Sequence, residues 1–140
     1  MEYRRFNDTY VIRMDRGEEV LATLTGICEQ EGIRLAAVSA IGAADRAVVG
    51  LYDVGEQVYH KKEFREPMEI ASLLGTVSEK NGKPYLHLHA TLCDASMQTH
   101  GGHVNELWIS VTCEMILRLL PREVGRRLDE VTGLNVFDFD

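Results

Sequence analysis

The sequence carries a cluster of histidines that could bind a metal ion. Four of its five histidines, His87, His89, His100 and His103, lie between residues 87 and 103. Neutral imidazole is the commonest protein ligand for zinc and its neighbours. If His87 and His89 lie on a strand, both rings point to the same face, because strand side chains alternate. The cluster predicts a metal site and says little about any particular reaction.

The spacing indicates which histidines could share one ion. If residues 85–92 pair with 103–112 as an antiparallel hairpin, a register with a three-residue turn places His89 opposite His103. His87 is then diagonal to His103 on the same face. Directly opposite Cβ atoms lie about 4.5–5.5 Å apart, which suits a site of three imidazoles. The spacing predicts His87, His89 and His103 as ligands.

The fourth histidine of the cluster is the alternate ligand. With the turn at Ala95–Met97, His100 faces away from His103, because the two residues are three positions apart. A bulge at Gly101–Gly102 would change this alternation.

Three histidine ligands leave a coordination position free, which is typical of catalytic rather than structural zinc. Such an ion can acidify a bound water or polarise a carbonyl group. Zn²⁺ is the first choice, and iron, nickel and manganese are alternatives. The competing interpretation is that the rings hydrogen-bond each other or nearby hydroxyl groups.

Four further charged residues are candidates for supporting roles. Glu69, Asp94 and Glu114 could orient a ligand or act as a general base. Arg13 could bind a substrate carboxylate. The alternative for each of them is a solvated surface charge.

Length and composition limit the class of protein. A chain of 140 residues is expected to form one domain, residues 1–140. The net charge of −7 and the small basic clusters argue against direct DNA binding by this chain alone. Three widely spaced cysteines without a CxxC motif predict reduced thiols in a cytoplasmic protein. We expect no signal peptide and no membrane span.

One helix is predicted, over about residues 17–31. Asp15 and Glu18 form a capping-box-like pattern before an apolar stripe of 3.6-residue period, and Gly32 follows where a helix would end.

Most of the remaining chain alternates or is apolar, as strands do. Asn81-Gly82 between two such runs predicts a hairpin. The predicted strands are 3–14, 35–41, 47–52, 57–64 (an edge), 68–77, 83–93, 104–120 and 134–139, with a short helix over 122–131. One main helix with many sequential strands indicates an α+β fold with a mostly antiparallel, barrel-like sheet.

Several segments together resemble the PPC family (plants and prokaryotes conserved domain, also called DUF296). They are Arg13–Glu18, Val38–Gly42, Glu69–Thr76, Gly82–Leu92 and Gly101–Val104, with HLHATL and GGH the most specific pieces. The resemblance implies a compact α+β domain that assembles as a homotrimer. In plant members a DNA-binding AT-hook precedes the domain. This chain has no AT-hook, so direct DNA binding is not expected, despite the family's label as DNA-binding.

The HLH and GGHV segments are also similar to the zinc-binding segment of acetolactate decarboxylase. That similarity implies the same three ligands, His87, His89 and His103, although the turn between the segments is longer here, and decarboxylation does not carry over. Two functions are therefore expected as the main alternatives, and a DNA-binding protein, as the family label implies, is the third. The first is a homotrimeric metal-binding module with regulatory function and a small-molecule ligand at the metal. The second is a metal-dependent lyase or hydrolase for a small carboxylate or carbonyl compound.

Overall fold

Nine strands and one helix make up most of the protein in the computed structural model, which describes residues 1–140. All strand pairings are antiparallel, so the predicted α+β fold with a mostly antiparallel sheet is confirmed. In chain order the elements are β1 (Glu2–Phe6), β2 (Thr9–Asp15), α1 (Val20–Glu31), β3 (Ala36–Asp53), β4 (Val58–Phe64), β5 (Met68–Lys80), β6 (Lys83–Cys93), β7 (Thr99–Leu119), β8 (Gly125–Leu128) and β9 (Asn135–Asp138).

Four strands close the main sheet into a ring. The sheet order is β1-β2-β7-β6-β5-β3-β4, and β7 also pairs with β3. The two strands that close the ring are the longest, with 18 residues in β3 and 21 in β7. On β6, Leu88, Ala90 and Leu92 are buried while the residues between them are exposed. This alternation places the histidines of β6 on the outer face of the ring.

The helix begins three residues later than predicted. Its N-cap is Glu19, whose carboxylate accepts a hydrogen bond from the backbone N–H of Ala22. Its C-cap is Gly32, in the left-handed conformation at φ 65°, as the sequence predicts. The structure contains no helix with the length and apolar character needed to cross a membrane.

The later start has a tertiary cause. The predicted contact between Asp15 and Glu18 forms, because the backbone N–H of Asp15 donates to the Glu18 carboxylate. It lies before the helix, however, since Glu18 and Glu19 are held extended against β7. The N–H of Ile109 donates to the carbonyl of Glu18, and Glu19 forms an isolated antiparallel β-bridge with Trp108.

Three other strand and helix predictions were wrong in detail. The predicted strand 3–14 is a hairpin, because Asn7 adopts φ 55° and turns the chain. The segments on both sides of Gly42 are one strand with a bulge. The predicted helix at 122–131 does not form, and Gly125–Leu128 within it are the β8 strand. This strand pairs with β9 and docks on β5 through a hydrogen bond from the N–H of Glu79 to the Val124 carbonyl.

Candidate metal centre

The hairpin that carries the histidines has the predicted register. His89 is the cross-strand partner of His103, and Leu92 is the partner of His100. The pairing between β6 and β7 continues without a bulge at Gly101–Gly102, so the alternation of side chains is preserved. The three-residue turn at Ala95–Met97 is confirmed as well, because the N–H of residue 94 donates to the carbonyl of residue 98.

Asp94 builds this turn. One oxygen of its carboxylate accepts hydrogen bonds from the backbone N–H and the hydroxyl of Ser96 and from the backbone N–H of Gln98. Met97 completes the turn at φ 64°. Hydrogen bonds from Ser96, and next from His100, hold the pKa of Asp94 far below its usual range. Such a carboxylate is a poor general base.

Three imidazoles meet on the outer face of the sheet. The Nε2 atoms of His87 and His89 are 3.2 Å apart. Ring centroids are 5.1 Å apart for His87 and His89, 5.3 Å for His87 and His103, and 5.5 Å for His89 and His103. One ligand nitrogen from each ring lies within 4.8 Å of the other two. The geometry therefore brings together the three residues that the sequence predicts as ligands.

These distances fit a small transition-metal ion. Two nitrogens bound to one zinc ion at about 2.0–2.1 Å in tetrahedral geometry lie about 3.3 Å apart. His87 and His89 already have that separation. His103 is the third donor, and its ring has no hydrogen-bond partner within the protein. Three neutral nitrogen donors with the fourth position open would suit zinc in a reactive or ligand-binding site.

The electrostatic surroundings favour the neutral rings. Burial is the largest cause that lowers the pKa of His87 and of His103. The neighbouring imidazoles lower these pKa values further, as does the charge of Arg126 for His87 and of Lys61 for His103. Because metal ions bind the neutral imidazole, these shifts keep the ligands ready for an ion at neutral pH.

His100 lies outside the cluster of three imidazoles that His87, His89 and His103 form. Its Nε2 atom is 3.0 Å from the second carboxylate oxygen of Asp94. Its ring stacks at 4.8 Å on Phe64, with the two planes inclined by 31°. The structure thus gives His100 a role in fixing the turn.

The other predicted residues do not contact the histidine cluster. Arg13 is paired with Asp15 at 2.9 Å and with Glu2 at 3.5 Å, and it lies opposite Glu114 between β2 and β7. Glu69 is exposed on β5, opposite Cys93. Neither Glu69 nor Glu114 forms a hydrogen bond or ion pair with a histidine of the cluster.

Two residues of β4 that the sequence did not predict for the site, Tyr59 and Lys61, lie beside His103. The ring of Tyr59 meets the His103 ring edge-on at a centroid distance of 6.3 Å. Lys61 lies in the same cross-strand row, because Gly50 pairs with both Lys61 and His103. A side chain at Gly50 would overlap the Tyr59 ring. No local pattern marks these residues, since only the order of strands in the sheet brings β4 beside β7.

A third missed residue lies at the opposite end of the cluster. The guanidinium of Arg126, on β8, donates to Ser78 Oγ at 2.8 Å and to Thr76 Oγ1 at 3.5 Å. Thr76 is the cross-strand partner of His87. Because the sequence predicted a helix over 122–131, it did not indicate that Arg126 would lie near the histidines.

A second group of potential ligands lies in the turn between β3 and β4. Asp53, Glu56 and His60 have ligand atoms within 4.8 Å of one another. Asp53 accepts a hydrogen bond from the Glu56 N–H, so the turn itself accounts for its position.

Solved structures share this fold over almost the whole chain. A candidate DNA-binding protein from Bacteroides thetaiotaomicron has a TM-score of 0.96 at 27% identity, covering 99% of this chain and 96% of that one. The metal-containing protein AF0104 from Archaeoglobus fulgidus has a TM-score of 0.86 at 35% identity, covering 97% and 96%. α-Acetolactate decarboxylase from Bacillus subtilis strain 168 has a TM-score of 0.61 at 13% identity, covering 90% and 58%, and shares the fold alone.

One curated relative is much longer than this chain. The bifunctional protein GlmU of Synechococcus sp. (strain JA-2-3B'a(2-13)) is 30% identical over 128 residues, which are 89% of this chain. The chain spans 19% of the length of that protein.

The family predicted from the motifs is confirmed by a match to a family model. The model of the Plants and Prokaryotes Conserved (PCC) domain matches residues 1–121, which include the helix, the histidine hairpin and all of β7. The chain belongs to the Plants and Prokaryotes Conserved domain family.

Proposed function

We propose that this protein is a homotrimeric PCC-domain module that binds one divalent metal ion per chain through His87, His89 and His103. Zinc is the first choice of ion, because three imidazoles with an open fourth position suit it. The open position would take a small ligand, and the bound ion would make the module responsive to that ligand. A net charge of −7 favours this function over direct DNA binding.

The unpartnered ring of His103 carries this proposal. A hydrogen bond between the rings of His87 and His89 would explain their 3.2 Å contact without any metal. It does not explain why the ring of His103 turns toward both of them with no hydrogen-bond partner of its own. A shared metal ion satisfies all three rings at once.

Metal titration of the purified protein tests the site. After removal of bound metal with a chelator, the protein is expected to take up one equivalent of Zn²⁺ or Co²⁺ per chain, measured by elemental analysis after dialysis. His100→Asn is the matched control, because it changes a histidine of the same hairpin on the opposite face, and it should keep the full equivalent. Wild-type protein that retains no metal would refute the proposal.

The pH dependence of binding follows from the lowered pKa values of His87 and His103. Metal affinity should be nearly constant at neutral pH and should fall once the pH drops below the lowered pKa values of His87 and His103, because protons then compete with the ion for these rings. In the metal-free protein the unfolded chain takes up these protons first, so stability should decrease as the pH falls from about 6.5, the ordinary imidazole value, toward the lowered values. Equal metal affinity at pH 5 and pH 7.5, measured by calorimetry, would contradict this.

An exposed apolar groove supports the proposed trimer. The groove, of about 540 Å³, lies on the outer face along β1, β2, β7 and β3. Phe6, Val11, Ile41 and Ile116 line it and are 58%, 45%, 59% and 43% exposed. Apolar side chains clustered in this way commonly mark a protein interface. A second copy of the chain would cover them.

Light scattering checks the assembly. The wild-type protein should have three times the 15.8 kDa chain mass. Ile116→Lys should shift the mass toward that of one chain, because it would bury an unpaired charge in the interface. The control is Val131→Lys, since Val131 is 81% exposed and lies outside the groove. A monomeric mass for the wild-type protein would contradict the trimer.

The open coordination position also favours a second candidate function. A metal-dependent lyase or hydrolase for a small carboxylate or carbonyl compound would use this position to activate water or substrate. No carboxylate is hydrogen-bonded to the three histidines, so an enzyme of this kind would take its general base from bound water or from the substrate. Turnover that depends on the added metal would distinguish an enzyme from a binding module.

A further inference from the structure

The guanidinium of Arg126 has no acidic partner. Arg13, Arg34, Arg46 and Arg65 form ion pairs with carboxylates, and the other arginines without an ion pair are exposed, whereas Arg126 is partly buried. Arg126 instead donates to two hydroxyl groups and one backbone carbonyl, all uncharged acceptors. Burial lowers its pKa, which reflects the cost of keeping a charge in this position without a counter-ion.

Two aromatic rings fix the orientation of this guanidinium. Its central carbon is 4.8 Å from the Tyr85 ring centroid and 4.1 Å from that of Phe137. Its Nε atom is held by Ser78 Oγ at 2.8 Å, and one terminal nitrogen donates to the Asn135 carbonyl at 3.3 Å. A guanidinium has five N–H groups, and these contacts together with the long one to Thr76 occupy three of them. Two donors therefore remain for a ligand.

The Arg126 guanidinium lies beside the row of outward-facing β6 side chains formed by Tyr85, His87 and His89, at its Tyr85 end. On the outer face of β6, Tyr85 precedes His87 and His89 with the two-residue period of a strand. Arg126 stacks on Tyr85 and also reaches Thr76, whose cross-strand partner is His87. Partners of this kind have Cβ atoms about 4.5–5.5 Å apart. Arg126 is thus a neighbour of the first of the three rings.

The charges around the cluster have one sign. Arg126 hydrogen-bonds to Thr76, the cross-strand partner of His87, and Lys61 lies in the same cross-strand row as His103. The three imidazoles are neutral when they bind an ion, so they do not offset its charge. No carboxylate contacts them. With a divalent ion bound, the site would therefore have a strong positive potential within an acidic protein, and an anion would relieve it.

We propose that a small oxyanion, a carboxylate or a phosphate, is the ligand of this site, with one oxygen on the metal ion and another on Arg126. The planar fork of an arginine suits both kinds of anion. This inference rests on the proposed metal site. It assigns to Arg126, which lies beyond the matched residues 1–121 of the family model, the role of a ligand-binding residue.

Spectroscopic titration of the Co²⁺-loaded protein tests this role. Lactate and inorganic phosphate are added separately, and the visible absorption of the Co²⁺ ion reports an anion that enters its coordination sphere. Wild-type protein should respond to at least one of them with a saturable change, and the stronger response identifies the ligand class. Arg126→Gln should weaken that binding by about tenfold or more, because a charged hydrogen-bonding partner is lost. The matched control is Arg127→Gln, which removes the exposed neighbouring charge on β8 and should bind as wild type does.

A purely structural role for Arg126 predicts a different result. In that case Arg126→Gln lowers the melting temperature but leaves anion affinity unchanged in the folded, metal-loaded protein. If Arg126→Gln does not fold, Arg126→Lys keeps the charge without the planar fork and should weaken anion binding several-fold at unchanged Co²⁺ stoichiometry. Unchanged affinity in the variant that folds, or no response of the wild-type spectrum to either anion, would overturn the inference while leaving the metal site intact. Failure of the wild-type protein to take up Co²⁺ would overturn both.

Discussion

Replacing His89 with alanine is expected to remove nearly all tightly bound metal from this protein. The Nε2 atom of His89 is 3.2 Å from that of His87, and His89 lies directly opposite His103 across the hairpin. Without it, only two imidazoles remain. Losing a partner that merely orients a ligand costs about 10–100-fold in metal affinity, so the loss of a ligand should exceed that range. Elemental analysis after dialysis should give one ion per chain for the wild-type protein and close to none for the variant.

Thermal unfolding gives a second measurement of the same prediction. A ligand that binds only the folded state stabilises it by about 4 kcal/mol at a thousand times its dissociation constant. Zinc should therefore raise the melting temperature of the wild-type protein and leave that of His89→Ala almost unchanged. The substitution itself should cost little stability, because the His89 side chain is exposed.

The control for this experiment is His100→Asn, which changes a histidine of the same hairpin that faces away from the three ligands. It should keep both the bound ion and the thermal shift. A His89→Ala protein with unchanged metal content would refute the assignment of the three ligands.

The histidine hairpin could be predicted because its geometry is local. Asp94 and the left-handed Met97 build a three-residue turn, and a turn of that length determines which residues of the two strands face each other. Once the turn is placed, His89 must face His103 and His100 must point away. The hairpin at Asn81-Gly82 was predictable for the same reason, since both residues adopt positive φ there.

The surroundings of the cluster could not be predicted, because they depend on contacts between distant segments. Lys61 lies in the same cross-strand row as His103 only because β4 pairs with β3 and β3 also pairs with β7. Arg126 lies beside Thr76 and Tyr85, the neighbours of His87, only because the segment after Pro121 forms a strand that docks on β5, where the local pattern favoured a helix. The late start of α1 has the same kind of cause, since pairing with β7 holds Glu18 and Glu19 extended.

The largest effect on stability is expected from alanine at Gly75. This residue of β5 pairs with Leu88, which lies between His87 and His89 on β6. A Cβ atom at this position would overlap the carbonyl oxygen of His87 and lie 2.9 Å from the Leu88 Cα. Both are backbone atoms of the neighbouring strand, so no side-chain rotation can relieve the overlap, and β5 and β6 would have to separate. We expect a loss of about 4 kcal/mol or more, the range of severe backbone and packing defects, out of a typical total of 5–15 kcal/mol.

Urea unfolding of Gly75→Ala beside Gly26→Ala separates this clash from the general effect of replacing a glycine. Gly26 lies on the exposed side of α1, and a Cβ there would meet no atom within 4 Å. Its replacement should therefore stabilise the protein by about 0.5–1 kcal/mol through helix propensity. Because the same β5–β6 pairing supports His87, any Gly75→Ala protein that folds should also bind zinc more weakly than wild type. Equal urea midpoints for Gly75→Ala and wild type would mean that the two strands tolerate a wider separation, and that His87 is not held by close backbone contact.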